Sequence, residues 1–247
     1  MDSHADPSLE KQFAAAIDWW REAGVDHDYS DEALTLLEKV KAEEPQRTPK
    51  ATEKPQKAPE PARPDIGGDK AHWPQSLEGF AHFWTSEPSL DDGRTDRRVP
   101  PRGVHAAELM VLVPMPEADD SETLLSGAQG RLVANMLRAM EIAPDAAYIA
   151  SALPRHMPLT DWQGLHEAGL GAILSHHITL AAPKRLLVLG GDILPLLGLE
   201  KRRGVLEFTA GEASIHLLAS FAPENLLENA KLRADLWRRW LDWTGKA

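Results

Sequence analysis

The stretch R-L-L-V-L-G-G-D, Arg185 to Asp192, decides the fold. An unbroken apolar run ending in two glycines and an acid reads as a buried parallel strand that turns sharply into a helix. Asp192 is expected to cap that helix, which opens on I-L-P-L-L from Ile193. Three other stretches share the strand character: Leu109 to Val113, Tyr148 to Ser151 and Ile215 to Ser220. Helical patterns separate them, and strands alternating with helices predict a parallel sheet joined by crossovers. The expected fold is therefore α/β, a three-layer α/β/α domain on a four-stranded parallel sheet. Ligands of such sheets sit at the C-terminal strand ends, so the residues after Val113, Ala150, Leu189 and Ala219 carry the functional question.

Outward from that core the chain divides in three. Residues 1–43 hold two short amphipathic patterns, Ser8 to Ala23 with Phe13, Ile17 and Trp20 on one face, and Ser30 to Val40. They predict an N-terminal helical extension that docks on the main domain or binds a partner. Residues 44–70 are rich in Pro, Lys and Glu, with almost nothing to bury, and read as a disordered linker. Residues 71–247 form the globular domain. Its helices are expected to carry Leu77, Phe80, Phe83 and Trp84; then Leu132, Met136 and Met140; then Leu165, Ala172, Ile173 and Leu180; and last Leu232, Leu236, Trp240 and Trp243.

Composition narrows the chemistry. Cysteine is absent, which removes disulfides, thiol catalysis, zinc–thiolate sites and cysteine-held iron–sulfur clusters from consideration. No apolar run reaches the ~20 residues of a membrane span. The start M-D-S-H-A-D lacks the order of a signal peptide, so the expectation is a cytoplasmic protein with no membrane partner. The net charge of −11 argues against coating nucleic acid by bulk attraction. The acidity lies upstream, however: residues 1–100 hold 13 Lys/Arg against 21 Asp/Glu, whereas residues 151–247 hold 11 against 10. The tract Lys201-Arg202-Arg203, with Lys231, is the candidate DNA-contacting face.

The order of motifs resembles the uracil-DNA glycosylase superfamily, particularly its family 4 and 5 members. The resemblance rests on M-V-L-V from Met110, L-S-G-A-Q-G from Leu125, Y-I-A-S from Tyr148, P-K-R-L-L-V-L-G-G from Pro183 and P-E-N-L-L from Pro223. The W-W-R-E-A-G-V-D from Trp19 is similar to the family's N-terminal extensions. The resemblance implies a pocket in which an aromatic ring stacks on a flipped base, an Asn reads its edge, a residue after the first strand positions water and a His stabilises the leaving anion. Here P-M-P-E-A, including Met115, Pro116 and Glu117, replaces the family's first motif. Leu125 stands at the stacking position, Ser151 at the Asn position and Ala222 at the His position. The family's cluster cysteines are missing, so no iron–sulfur cluster and no other cofactor is expected.

These replacements, with the resemblance, imply a degenerate base pocket on a retained fold: a binding module for DNA, or for a repair or replication protein met through the N-terminal helices. Two alternatives stay open. One is an active divergent glycosylase whose groups have moved to Glu117, Asp119 or His156, and the other is a small-nucleotide binder using the old pocket. Asp120 shares the acidic loop, which is expected to be solvated rather than to position a water. His216 is expected to pack inside its strand. His176 and His177 lie on a helix without partners at ligand spacing, so no metal site is expected. Gly190 and Gly191 could cradle a phosphate, although Asp192 beside them weighs against it.

Overall fold

The computed structural model describes residues 19, 66–210 and 213–245. The chain divides into two units, Met1–Ala58 and Pro59–Ala247. Of the first, only Trp19 is described, an exposed helical residue. The expected N-terminal helices and the linker up to residue 65 otherwise lie outside the described residues; residues 66–70, at the linker's expected end, lie against the domain, with the Ile66 N–H donating to the Ala168 carbonyl at 2.8 Å and Gly67 buried.

In the second unit the strands are β1 (Arg102–Gly103), β2 (Leu109–Val113), β3 (Ala147–Ser151), β4 (Leu186–Leu189), β5 (Gly204–Ala210) and β6 (Ala213–Ser220). The helices are α1 (Leu77–Ser86), α2 (Ala128–Ala139), α3 (Trp162–Glu167), α4 (Leu170–Ala181), α5 (Ile193–Leu196), α6 (Pro223–Glu228) and α7 (Ala230–Thr244). The sheet order is β1-β3-β2-β4-β6-β5. The domain is thus α/β, but the sheet is a mixed one of six strands rather than a parallel one of four. The four expected strands pair in parallel, and β1 and β5 add antiparallel edges.

The central strands are buried at every position, the signature of a sheet covered on both faces. Alternate residues enter two separate cores. Met110, Leu112, Tyr148, Leu186 and Val188 meet Phe80 and Trp84 of α1 and Ile173, Leu174 and Ile178 of α4. Leu109, Val111, Ile149, Leu187 and Leu218 meet Val133 and Leu137 of α2 and Leu236 and Trp240 of α7.

Local chemistry accounts for three departures from the expected elements. Leu165 through Leu180 read in the sequence as one helix. That helix breaks at Gly169, whose φ of 90° belongs to the left-handed region, leaving α3 and α4. Asp192 precedes α5 but makes no side-chain cap; its carboxylate pairs instead with Lys201, and α5 is only four residues long. His216 is exposed rather than packed, because β6 pairs there with edge strand β5 and their side chains alternate between core and water.

Candidate functional site

Register brings the exits of the parallel strands level. Val113 lies opposite Ser151, Leu112 opposite Val188, and Leu189 opposite Ser220. Pairing of β2 and β3 continues beyond the strands, since the Ala152 and Leu153 N–H groups donate to the Val113 and Pro114 carbonyls at 2.8 and 3.0 Å. Gly190 can turn here because it has no side chain: a Cβ would stand 2.7 Å from Pro114 Cγ. Pro114 to Gly127, Ser151 to His156, Gly190 to Asp192 and Phe221–Ala222 therefore leave the sheet at its C-terminal edge.

The loop after β2 is built around two carboxylates. Glu117 Oε1 accepts from the Gly127 and Gly130 N–H groups, both at 2.9 Å, and Oε2 accepts from the Gln129 N–H at 3.0 Å. These are the first turn of α2, whose amides have no partners within the helix and whose cap, Gly127, has no side chain to offer. A carboxylate ten residues upstream meets that need, and the helix dipole favours its charge. Gly127 leaves room for this carboxylate: a Cβ there would come 2.7 Å from Glu117 Oε2 and the carboxylate would have to shift.

Asp120 closes the same loop from inside, with only 7% of its surface exposed. It accepts from the N–H groups of Glu117 at 2.8 Å, Leu125 at 2.7 Å and Ser126 at 2.8 Å, and from the Ser126 hydroxyl at 2.6 Å. Burial works to raise its pKa, but the bonds from Ser126, Leu125 and Glu117 outweigh it and hold the carboxyl below its ordinary value. Asp119, between these two, is exposed.

The positions taken over from the resemblance differ in their surroundings. Leu125, 3% exposed, packs in the α2/α7-side core with a left-handed φ of 57°. Ser151, 1% exposed, donates its hydroxyl to the Leu153 carbonyl at 2.7 Å. Met115 is half-buried and Pro116 buried. Ala222 is the half-buried cap of α6, and Glu224 beyond it accepts from the Gln129 amide at 3.3 Å. His156, half-buried, holds the two loops together through Nδ1, 3.0 Å from the Pro116 carbonyl. Hydrogen bonds thus unite Glu117, Asp120, Leu125, Pro116 and His156 in one loop system. Ser151 joins it through strand register, and Ala222 through the α2–α6 contact.

The basic tract reaches the same edge. Gly204 pairs with Ala219, so Arg203 stands beside the end of β6, with its guanidinium 4.0 Å from the Phe221 ring centroid. Lys201 bridges to Asp192 at the β4 turn. All three cations are exposed. Lys231 stands exposed on the first turn of α7, one short helix beyond Ala222.

Two features leave little trace in the sequence. One is the pair of jobs done by Glu117 and Asp120, whose only signal is an acid-rich loop followed by an uncapped glycine at a helix start. The other is His177, which stacks on Phe80 at 3.9 Å and meets the Tyr148 hydroxyl through Nε2 at 2.8 Å. Burial, with a smaller contribution from His176, lowers the His177 pKa to about 3. Burial likewise raises that of Tyr148. Among the described residues no group of three or more His, Asp or Glu is placed to hold a metal ion. No described helix is long and apolar enough to cross a membrane. No protein-family model and no curated protein matches the chain.

Proposed function

We propose that this chain is a uracil-DNA glycosylase-like domain whose base pocket is catalytically silent and which binds DNA at the C-terminal edge of its sheet. The observation that carries the reading is the occupation of the polar groups at that edge. Glu117 has both oxygens on α2 amides, Asp120 accepts four hydrogen bonds, and the Ser151 hydroxyl is engaged with Leu153. A general base must reach the proton that it removes, and carboxylates locked as helix and loop caps are poorly available to position water. Ala222 has no group to stabilise a leaving anion, a loss worth roughly two to three powers of ten in rate. Leu125 is buried and offers no ring. The motif order, and four parallel strands with helices on both faces, support the family reading.

Lys201, Arg202 and Arg203 supply the binding. They stand exposed beside Phe221 and the β4 turn, where a phosphate backbone could lie along the edge. The tract is small, so affinity is modest and sensitive to salt.

Two measurements test the reading separately. A uracil-containing oligonucleotide, single-stranded or duplex, incubated with excess protein and treated with alkali should show cleavage at background. Multiple-turnover release of uracil would overturn the silent pocket and turn attention to His156, the imidazole at this edge, with Asp119 as the exposed acid nearby. Fluorescence anisotropy with labelled DNA should give a Kd that weakens steeply between about 50 and 200 mM salt, because three cations release about two to three counterions from the phosphates. Binding that ignores salt would remove the DNA part of the proposal.

A further inference from the structure

Away from the strand ends, a cavity of about 710 Å³ opens between the last turns of α2 and the β1–β3 edge. Its floor is aliphatic: Leu137, Ile142, Ala147 and Ile149 line it, each less than a tenth exposed. Among its described lining residues there is no aromatic ring, hydroxyl or amide side chain, so a nucleic-acid base finds there neither a stacking platform nor a reader for its edge. Among the described lining residues the charged side chains are Arg102, Arg138 and Glu141, two cations and one anion. Arg102 Nε donates to the Leu124 carbonyl at 3.0 Å, and an Arg138 terminal nitrogen donates to Asn135 Oδ1 at 3.2 Å. Neither guanidinium forms an ion pair among the described residues. Each keeps donors to offer, and the planar fork of Arg matches a carboxylate or sulfonate.

We propose that this cavity binds a small amphiphilic anion, an apolar body with a single carboxylate or sulfonate group. The body lies on Leu137, Ile142 and Ile149, and the head meets Arg102 and Arg138. The volume is that of a small-molecule site. The second large cavity, about 660 Å³ between the Pro88–Gly93 and Leu153–Leu170 segments, gives the opposite prediction for the same ligand. Asp91, Asp92 and Asp161 line it, and their charge disfavours an anion. Extension of the sheet by a partner's strand is the poorer use of this edge, because β1 is two residues long and offers few backbone bonds. The site is separate from the strand-end edge and does not depend on the DNA reading.

The test titrates the full chain with 8-anilinonaphthalene-1-sulfonate and follows its fluorescence, with decanoate as competitor and decanol as the uncharged control. Saturable binding, displaced by decanoate and far less by decanol, is expected. Ala134→Trp, a substitution at an exposed α2 position that lines the cavity, should obstruct part of it and weaken the signal. Arg102→Ala with Arg138→Ala should weaken binding roughly tenfold while the floor remains intact. Circular dichroism checks the helices of each variant. If Ala134→Trp disturbs them, the double-arginine variant decides, since both side chains are exposed. Unchanged affinity in that variant, or equal displacement by decanoate and decanol, overturns the proposal.

Discussion

Two charged stretches flank the same edge of the sheet and behave in opposite ways. In the acidic loop after β2, Glu117 and Asp120 point into the protein and accept seven hydrogen bonds between them. In the basic tract before β5, Lys201, Arg202 and Arg203 point outward, with one surface ion pair and one ring contact. The acids build the edge, and the cations are what it presents. A charge run in a sequence therefore does not say which way the charges face. The decisive difference lies downstream of each run: the acids precede a helix that starts on glycine and needs acceptors, whereas the cations precede a strand whose amides pair with β6.

Substitutions should widen that contrast. Asp120→Asn is expected to have the largest effect, a loss of about 3 kcal/mol in denaturant unfolding, because an amide replaces a buried charged acceptor and sets N–H against N–H. Acid should act in the same direction. The folded pKa of Asp120 lies below its ordinary value, so its stabilisation is complete above about pH 4 and is lost as pH falls through the folded value. Glu117→Gln, at a half-buried helix start, should cost about 1–2 kcal/mol in the same assay. Asp119→Ala, between them but exposed, should change stability by less than about 0.5 kcal/mol. Equal losses at all three positions would contradict the inward orientation of only two.

His177 sharpens the comparison from a neutral site. Its pKa falls from the ordinary histidine value to about 3 on folding. The unfolded chain thus binds a proton that the folded chain refuses, and stability should decline as pH drops below about 6.5. His177→Leu combined with Tyr148→Phe removes the titrating ring together with the hydroxyl it would orphan, and urea midpoints at pH 7 and pH 5 should then draw closer. Neutralising Lys201, Arg202 and Arg203 together should also change stability little, within about 1 kcal/mol, since exposed ion pairs contribute little. The same variant should reduce the salt dependence of DNA binding. A large stability loss without any change in binding would reverse the assignment of roles to the two stretches.

The central strands are legible because both faces are covered, so Leu109 to Val113 and Leu186 to Leu189 are apolar without interruption. The edges are harder. In Gly204 to Thr209 only Leu206 and Phe208 carry large side chains inward, and two apolar residues at that spacing are weak against the neighbouring charges. Arg102–Gly103 carries no strand signal at all; β3 imposes its pairing from outside. At the candidate site, the sequence marks the right loops but not the duties within them. Nothing local in P-M-P-E-A-D-D tells that Glu117 will reach α2 ten residues on, because that contact depends on the closed loop.

Strand β5 has a consequence for how the protein must be handled. It is the terminal strand at its side of the described sheet, seven residues long, and its partner side is fully paired with β6. Among the described residues no strand pairs with its other side, and such a row of backbone donors and acceptors is the kind of template on which concentrated protein polymerises edge to edge. Glu207 stands midway along the strand on the exposed face, beside Thr209, where it accepts from the Ser214 hydroxyl; a second copy laid antiparallel about that point would bring like charges together. Removing that one carboxylate should leave the fold unchanged and shorten the shelf life of the solution.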